Sequence, residues 1–207
     1  MYICIEGVDG VGKTTTVNCL SEKLRNSGYN VLQTREPSIH SEVAKKLYDI
    51  IKNDNLTPLA REYVLQANRD LHMNEIIRPF LFKQCEKSII VQDRGLLSAY
   101  CYSLEYTNTK ITDGLSSVVR ECGLRIMRDI MYDYVFLLIC DNVKERLTRR
   151  GQLDNIEKHV DFERLGRAYS KYSKLFNTFV INTTNITPEQ VCDKILEIIK
   201  LNGDHRR

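Results

Sequence analysis

Short apolar runs alternate with longer segments of helical periodicity along the whole chain. Tyr2–Glu6, Val31–Thr34, Ser88–Asp93, Tyr134–Cys140 and Phe179–Asn182 have strand length and enough apolar character to predict strands buried on both faces. Between them run patterns such as Thr14–Gly28, where Val17, Leu20 and Leu24 recur at helical spacing and Gly28 supplies the stop. Asp141 is placed to cap a helix over Asp141–Thr148, and Thr187-Pro188 to open the last one, threonine as cap and proline in the first turn. The alternation carries no internal repeat, low-complexity tract or Gly/Ser linker. It predicts one α/β domain over residues 1–207 on an open, mostly parallel sheet. Ligands of such sheets bind beyond the carboxyl ends of the strands. The chemistry is therefore expected after Ile5, Thr34, Val91 and Cys140.

Composition narrows the partners. The 207 residues carry a formal net charge of +3, too little for nucleic-acid or membrane binding by bulk electrostatics. What excess there is lies between Lys144 and Lys174, where nine basic residues face five acidic ones. No apolar run approaches the roughly 18 residues of a membrane span, and the first residues lack the pattern of a signal peptide. The seven cysteines are scattered without a CxxC pair, which argues against a zinc site or disulfide framework and for a reducing cytoplasm. Most of them read as small core hydrophobes, and His40, His72, His159 and His205 read as surface residues.

Directly after the first apolar run comes Gly7-Val8-Asp9-Gly10-Val11-Gly12-Lys13-Thr14, a complete GxxxxGK[ST] sequence. Its glycines let backbone N–H groups converge on phosphate, where side chains would block the approach. Lys13 is suited to the β- and γ-phosphoryl oxygens, and the Thr14 hydroxyl to Mg²⁺. Strand before and helix after make this the phosphate loop (P-loop) of a three-layer NTPase fold, the helix N-terminus facing the anion. No NKxD guanine-reading element is present, and the chain is short for a motor. Asp93 and Arg94 end the third apolar run. The carboxylate is placed to hold Mg²⁺ through water, and the guanidinium to grip an acceptor phosphate; the bland alternative is a salt bridge between neighbours. Arg146, Arg149 and Arg150, at i, i+3 and i+4, share one helix face and call for an anion or for acids such as Asp154 and Glu157.

With these in place the sequence resembles the thymidylate kinase family. The likeness rests on Glu6 to Thr15, Arg35-Glu36-Pro37, Ala67-Asn68-Arg69, Asp93-Arg94 with Ser98 and Tyr102, and Arg149 to Glu157 followed by Asp161-Phe162 and Arg167-x-Tyr169. The resemblance implies a five-stranded parallel sheet flanked by helices, with a short mobile lid at about 146–160. It implies transfer of phosphate from MgATP to dTMP, giving dTDP, and a homodimer. By the same resemblance Gly7 through Thr15 hold ATP, with Thr14 and Asp93 at the metal. Asp9 lies near the acceptor sugar, Arg94 on the acceptor phosphate, Arg69 on the pyrimidine, Tyr102 under the sugar, and Pro37, Leu65 and Ser98 along the acceptor. Arg35 and Glu36 are as readily structural as functional. The family carries its catalytic arginine either within the P-loop, where this chain has Gly10, or on the lid. The chain resembles the lid type, with Arg150 first and Arg149 as the alternative.

Departures cluster at the base. Leu65 stands where the family usually has a stacking phenylalanine, Ala99 follows Ser98 and cannot hydrogen-bond a base edge, and Cys101-Tyr102-Ser103 replaces the usual AYQ. The loop after Pro37 reads Ser38-Ile39 rather than Gly-Gly. A broader or modified pyrimidine deoxynucleotide is one alternative acceptor. A deoxynucleoside kinase with Glu36 as base is a second reading. A nucleotide-binding regulator is a third, against which the surplus of arginines argues.

Overall fold

The computed structural model describes residues 1–53, 55–83, 87–105, 118–127, 130–150 and 161–203. Strands β1 (Tyr2–Glu6), β2 (Asn30–Arg35), β3 (Ser88–Asp93), β4 (Tyr134–Ile139) and β5 (Thr178–Asn182) form one parallel sheet in the order β2-β3-β1-β4-β5. In the central strand, Ile5 lies opposite Asp93 of β3 and Phe136 of β4. From β1 the chain runs to the edge strand β2, returns to β3 beside β1, and then crosses to β4 and β5 on the other side, so the loop leaving β1 opens where the strand order reverses.

The period of two sorts the core into layers. Ile3, Ile5, Ile89, Val91, Phe136 and Leu138 face α1 (Lys13–Asn26) and the last helix, packing on Val17, Leu20 and Leu24. Tyr2, Cys4, Ile90, Val135 and Leu137 face the opposite way, onto Met73, Ile77, Leu96, Leu97, Ala168 and Tyr169. Helices thus cover both faces of the sheet, and each fully buried Leu or Ile contributes about 1.5–3 kcal/mol.

Local chemistry places the helix ends. Ser41 caps α2 (Glu42–Ile51) by accepting from the Ala44 N–H at 3.2 Å. Thr57 does the same for α3 (Pro58–His72) through Ala60, with Pro58 in the first turn. A π-helical turn, Met73–Ile77, joins α3 to α4 (Arg78–Phe82), and another, Cys101–Glu105, prolongs α5 (Leu96–Tyr100). Beyond lie Val118–Cys122 with α6 (Gly123–Ile126), then α7 (Val143–Arg150), α8 (Phe162–Tyr172) and α9 (Pro188–Gly203). Thr187 and Gln190 cap α9 reciprocally at 3.3 and 2.8 Å.

Some expectations need correction. Only β1, β3 and β4 are buried along most of their length. β2 and β5 are edge strands, with Gln33, Arg35 and Val180 turned to solvent. The helix expected from Asp141 starts at Val143 and runs to Arg150, because Asp141 is drawn to the loop after β5: its N–H donates to Thr184 Oγ1 at 3.0 Å. His72 is fully buried rather than on the surface, since Thr34 and Glu36 offer it partners inside the fold. The six described cysteines are free thiols; Cys4, Cys101 and Cys192 are buried. Among the described residues no helix is long and apolar enough to cross a membrane.

Candidate active site

The loop from Gly7 to Gly12 turns sharply between β1 and α1. Gly7, Gly10 and Gly12 have φ of 138°, 85° and 98°, a region L-residues rarely enter. The turn sends the chain directly into α1, which starts at Lys13 and aims its first N–H groups at the loop. Lys13 Nζ donates to the Val8 carbonyl at 2.8 Å and lies 3.7 Å from Asp9. Burial, and then the nearby Arg94 charge, pull its ammonium down to about 8. Thr14 and Thr15 stay exposed at the start of α1.

Arg94 is the hub of the site. Its N–H bonds to the Ile5 carbonyl at 2.9 Å, which anchors it on the end of β1, and it holds φ of 67° although it is not glycine. Its guanidinium donates to the Gly7 carbonyl at 3.2 Å, to Ser98 Oγ at 3.3 Å, to the Tyr169 hydroxyl at 3.2 Å and to Asp9 Oδ1. Tyr102 donates to the other oxygen of Asp9 at 2.9 Å, and Arg94 lies 5.3 Å from the centre of its ring. Burial opposes ionisation of Asp9, but the Arg94 and Lys13 charges prevail and hold its carboxyl well below the usual range. The bland alternative, a salt bridge between the neighbours Asp93 and Arg94, does not form. Arg94 turns to Asp9, eighty-five positions away.

Ser98 is mostly a strut. It is buried, its N–H and hydroxyl donate to Glu6, and it shares a 2.8 Å hydrogen bond with Tyr169. Burial pushes the Glu6 carboxyl up, and Ser98 pulls it partly back. Tyr169, which sequence reading assigned no role, fixes Arg94 from α8. Tyrosine hydroxyls in buried positions usually find a partner, but that signal does not name the partner.

A second wall comes from α3. Asn68 ties down the loop after Pro37, accepting from Ser38 N–H at 2.7 Å and donating to the Ser38 and Ala44 carbonyls at 2.9 and 3.2 Å. Arg69 Nε donates to Glu36 Oε2 at 2.9 Å, with both side chains buried. Burial opposes the charge on Glu36, yet Arg69 wins and lowers its carboxyl. Leu65 lies half-buried on the same helix, and Ala99 is buried.

Thr14 and Asp93 have the oxygen donors that a hard divalent cation would need. Thr14 Oγ1 donates to Asp93 Oδ2 at 2.6 Å, while Asp93 Oδ1 is buried without a hydrogen-bond partner. Among the described residues no cluster of three His, Cys, Asp or Glu side chains could hold a metal; Mg²⁺ ordinarily keeps water and substrate oxygens among its ligands.

Of the three arginines on α7, Arg146 is engaged elsewhere. It donates to Thr183 Oγ1 at 3.3 Å and to the Thr183 and Thr184 carbonyls at 2.6 and 3.1 Å, pinning α7 to the loop after β5. The side chains of Arg149 and Arg150, and residues 151–160 with Asp154 and Glu157, lie outside the described residues.

Strand order, glycine cradle and the cation–carboxylate hub together define the class: a P-loop phosphotransferase. A family model described as Thymidylate kinase matches residues 5–195. The chain belongs to the thymidylate kinase family. The thymidylate kinase of Mycoplasma pneumoniae is 28% identical over 195 residues, 90% of this chain and 89% of that protein. The thymidylate kinase of Helicobacter pylori strain Shi470 is 33% identical over 159 residues, 76% of this chain and 72% of that protein. A solved thymidylate kinase structure from Candida albicans, described as revealing the origin of broad substrate specificity, shares the fold. Its TM-score is 0.73 over 99% of this chain and 93% of that one, at 20% identity.

Proposed function

We propose that this enzyme transfers the γ-phosphoryl group of ATP to dTMP, giving ADP and dTDP, with Arg94 aligning the acceptor phosphate. The observation that carries this reading is the Arg94 hub, where one guanidinium touches the P-loop carbonyl of Gly7, the Asp9 carboxylate and the Ser98–Tyr169 pair. Gly7 through Thr15 cradle ATP, and Lys13 offers its charge to the β- and γ-oxygens. Thr14 and Asp93 would hold Mg²⁺, which would supply neutralisation of phosphate charge. Asp9 and Tyr102 border the acceptor sugar, and Pro37, Leu65 and Arg69 its base. No general base is needed, because a phosphate oxygen is already nucleophilic.

The arginine that stabilises the transferring group comes from the lid at about 146–160, with Arg150 first and Arg149 as the alternative. Support comes from position 10, where a Cβ would meet Leu147 Cγ at 2.9 Å, so the P-loop has no room there for a long side chain. The enzyme acts as one P-loop kinase domain, a homodimer in the cytoplasm. Leu65 provides apolar contact without a stacking ring, which favours a pyrimidine acceptor range wider than dTMP alone. The deoxynucleoside kinase reading is disfavoured, because Glu36 is locked to Arg69 and a lowered carboxyl makes a poor base.

Coupled ADP release with ATP and a panel of deoxynucleoside monophosphates, with thymidine as control, tests the assignment. dTMP is used and thymidine is not; Lys13→Ala and Arg94→Ala each abolish transfer while far-UV dichroism is retained. Near-normal dTDP formation by either folded variant would refute it.

A further inference from the structure

Glu62, Gln66 and Arg69 occupy i, i+4 and i+7 of α3 and are all buried, at 1%, 4% and 4% exposure. So polar a helix face turned inward requires partners, and these form a directed chain. Ser103, one residue beyond Tyr102, donates its hydroxyl to Glu62 Oε2. Gln66 Nε2 donates to Glu62 Oε1 at 2.6 Å, and Gln66 Oε1 accepts from Arg69 Nη1 at 2.9 Å.

The chemistry permits one orientation. A carboxylate can only accept, so the nitrogen end of Gln66 must face Glu62. A guanidinium can only donate, so the oxygen end must face Arg69. Arg69 is thereby held on two sides, by Glu36 at Nε and by Gln66 at Nη1. Among the described residues Nη2 has no hydrogen-bond acceptor. Gly123 keeps the third side close: a Cβ there would lie 3.6 Å from Arg69 Nη1 and from Gln66 Oε1.

We propose that Glu62 and Gln66 are positioning residues for Arg69: they hold its guanidinium in the orientation that the contact with the acceptor base requires, so the preference of that contact for 4-oxo over 4-amino pyrimidines depends on both of them. This rests on the deoxynucleotide acceptor reading above. Because the selecting edge carries donors only, a carbonyl at ring position 4 is bound and an amine there meets donor against donor. Turning the Gln66 amide end for end would bring its N–H groups against Arg69 and release the guanidinium. Glu62 prevents this.

The test is a swap. In Glu62→Gln the charged acceptor that holds the Gln66 amide is lost: the new amide accepts more weakly and can present either end, so Arg69 alone orients Gln66. The dTMP KM rises about tenfold, the loss of one hydrogen bond to a charged group. The ATP KM and the saturated kcat stay within about twofold, and the preference for dTMP over dCMP narrows by a similar factor. Adding Gln66→Glu rebuilds the chain in mirror form: the amide now at position 62 donates to the carboxylate now at position 66, and that carboxylate accepts from Arg69. The double variant recovers the dTMP KM and the dTMP/dCMP ratio.

A general loss of packing would lower Tm and would not be corrected by the swap. An unchanged dTMP KM in folded Glu62→Gln, or a raised KM persisting in the swap, would overturn the proposal. If Glu62→Gln does not fold, the swap alone decides: a wild-type KM supports the relay and a raised one overturns it. The wild type is assayed first. Failure to phosphorylate any deoxynucleoside monophosphate overturns the acceptor reading and this inference with it, whereas an active wild type confines a negative result to Glu62 and Gln66.

Discussion

Replacing Gly10 with alanine should damage the enzyme in two separable ways. Its φ of 85° lies in the left-handed region, where an L-residue is disfavoured by about 1–2 kcal/mol. The added Cβ would also sit 2.9 Å from Leu147 Cγ and 3.1 Å from Leu147 Cδ2, on a side chain only 3% exposed. Overpacking of that kind costs about 1–3 kcal/mol. Together these remove about 2–5 kcal/mol, or about 5–15 °C in Tm for a chain of this size. Gly28→Ala provides the control: φ there is 82°, but nothing lies within 4 Å of the new Cβ, so only the backbone cost of about 1–2 kcal/mol applies.

Leu147→Ala alone leaves a cavity worth about 2–5 kcal/mol. In Gly10→Ala/Leu147→Ala the methyl group enters that space. The double variant should therefore be more stable than the sum of the singles by about 1–3 kcal/mol. Urea melts of the four proteins measure this coupling, and additivity within about 0.5 kcal/mol would refute the steric argument. Activity follows the same geometry. Leu147 lies on α7 two residues before Arg149, so the Gly10→Ala push displaces the helix that carries Arg149 and Arg150, the proposed lid arginines. A shift near 1 Å lowers kcat by up to about 100-fold, and relieving the contact should restore part of it.

Two other perturbations read the phosphate end directly. Lys13 in the free enzyme titrates at about 8, and bound phosphate favours its charged form, so ATP affinity is level below pH 8 and weakens above it, approaching about tenfold per pH unit. Calorimetry from pH 6.5 to 9.5 checks this, and a flat profile would remove Lys13 from the titration. The same depression makes charged Lys13 a liability to the fold below pH 8, one that fades as pH rises toward the ordinary value of 10.5. Asp93→Asn keeps the size of the side chain and an acceptor for Thr14 but removes the charge. The Mg²⁺ midpoint of ADP release should move up by about tenfold or more with Tm nearly unchanged, and an unmoved midpoint would place the metal elsewhere.

The P-loop was legible because its geometry is local: glycines, lysine and threonine act within eight consecutive positions between a strand and a helix. Arg94 was legible for a related reason, since the carboxyl end of a central strand is a place the fold itself marks. The edges of the sheet were misjudged although the signal was there. Gln33 and Arg35 alternate with Leu32 and Thr34, the mark of a half-covered strand. What could not be read were polar pairs closed across the chain. Glu6 with Ser98 spans ninety-two positions, Arg94 with Tyr169 seventy-five, and Glu62 with Ser103 forty-one.

A polar residue on a helix reads as solvated until packing puts its partner opposite. His72 and Glu62, both buried, follow this rule. The phosphate-handling half is built from one contiguous motif. The wall proposed for the acceptor is built from distant polar pairs on α3 and the π-helical turn after α5, where Leu65, Ala99 and Ser103 differ from the pattern that the resemblance implies. A buried polar pair is tolerated only when both members match, so a change in one demands a change in the other. On the proposed reading, recognition of the acceptor base therefore rests on combinations of residues, and single substitutions at Glu62 or Gln66 should disturb it more than their joint exchange.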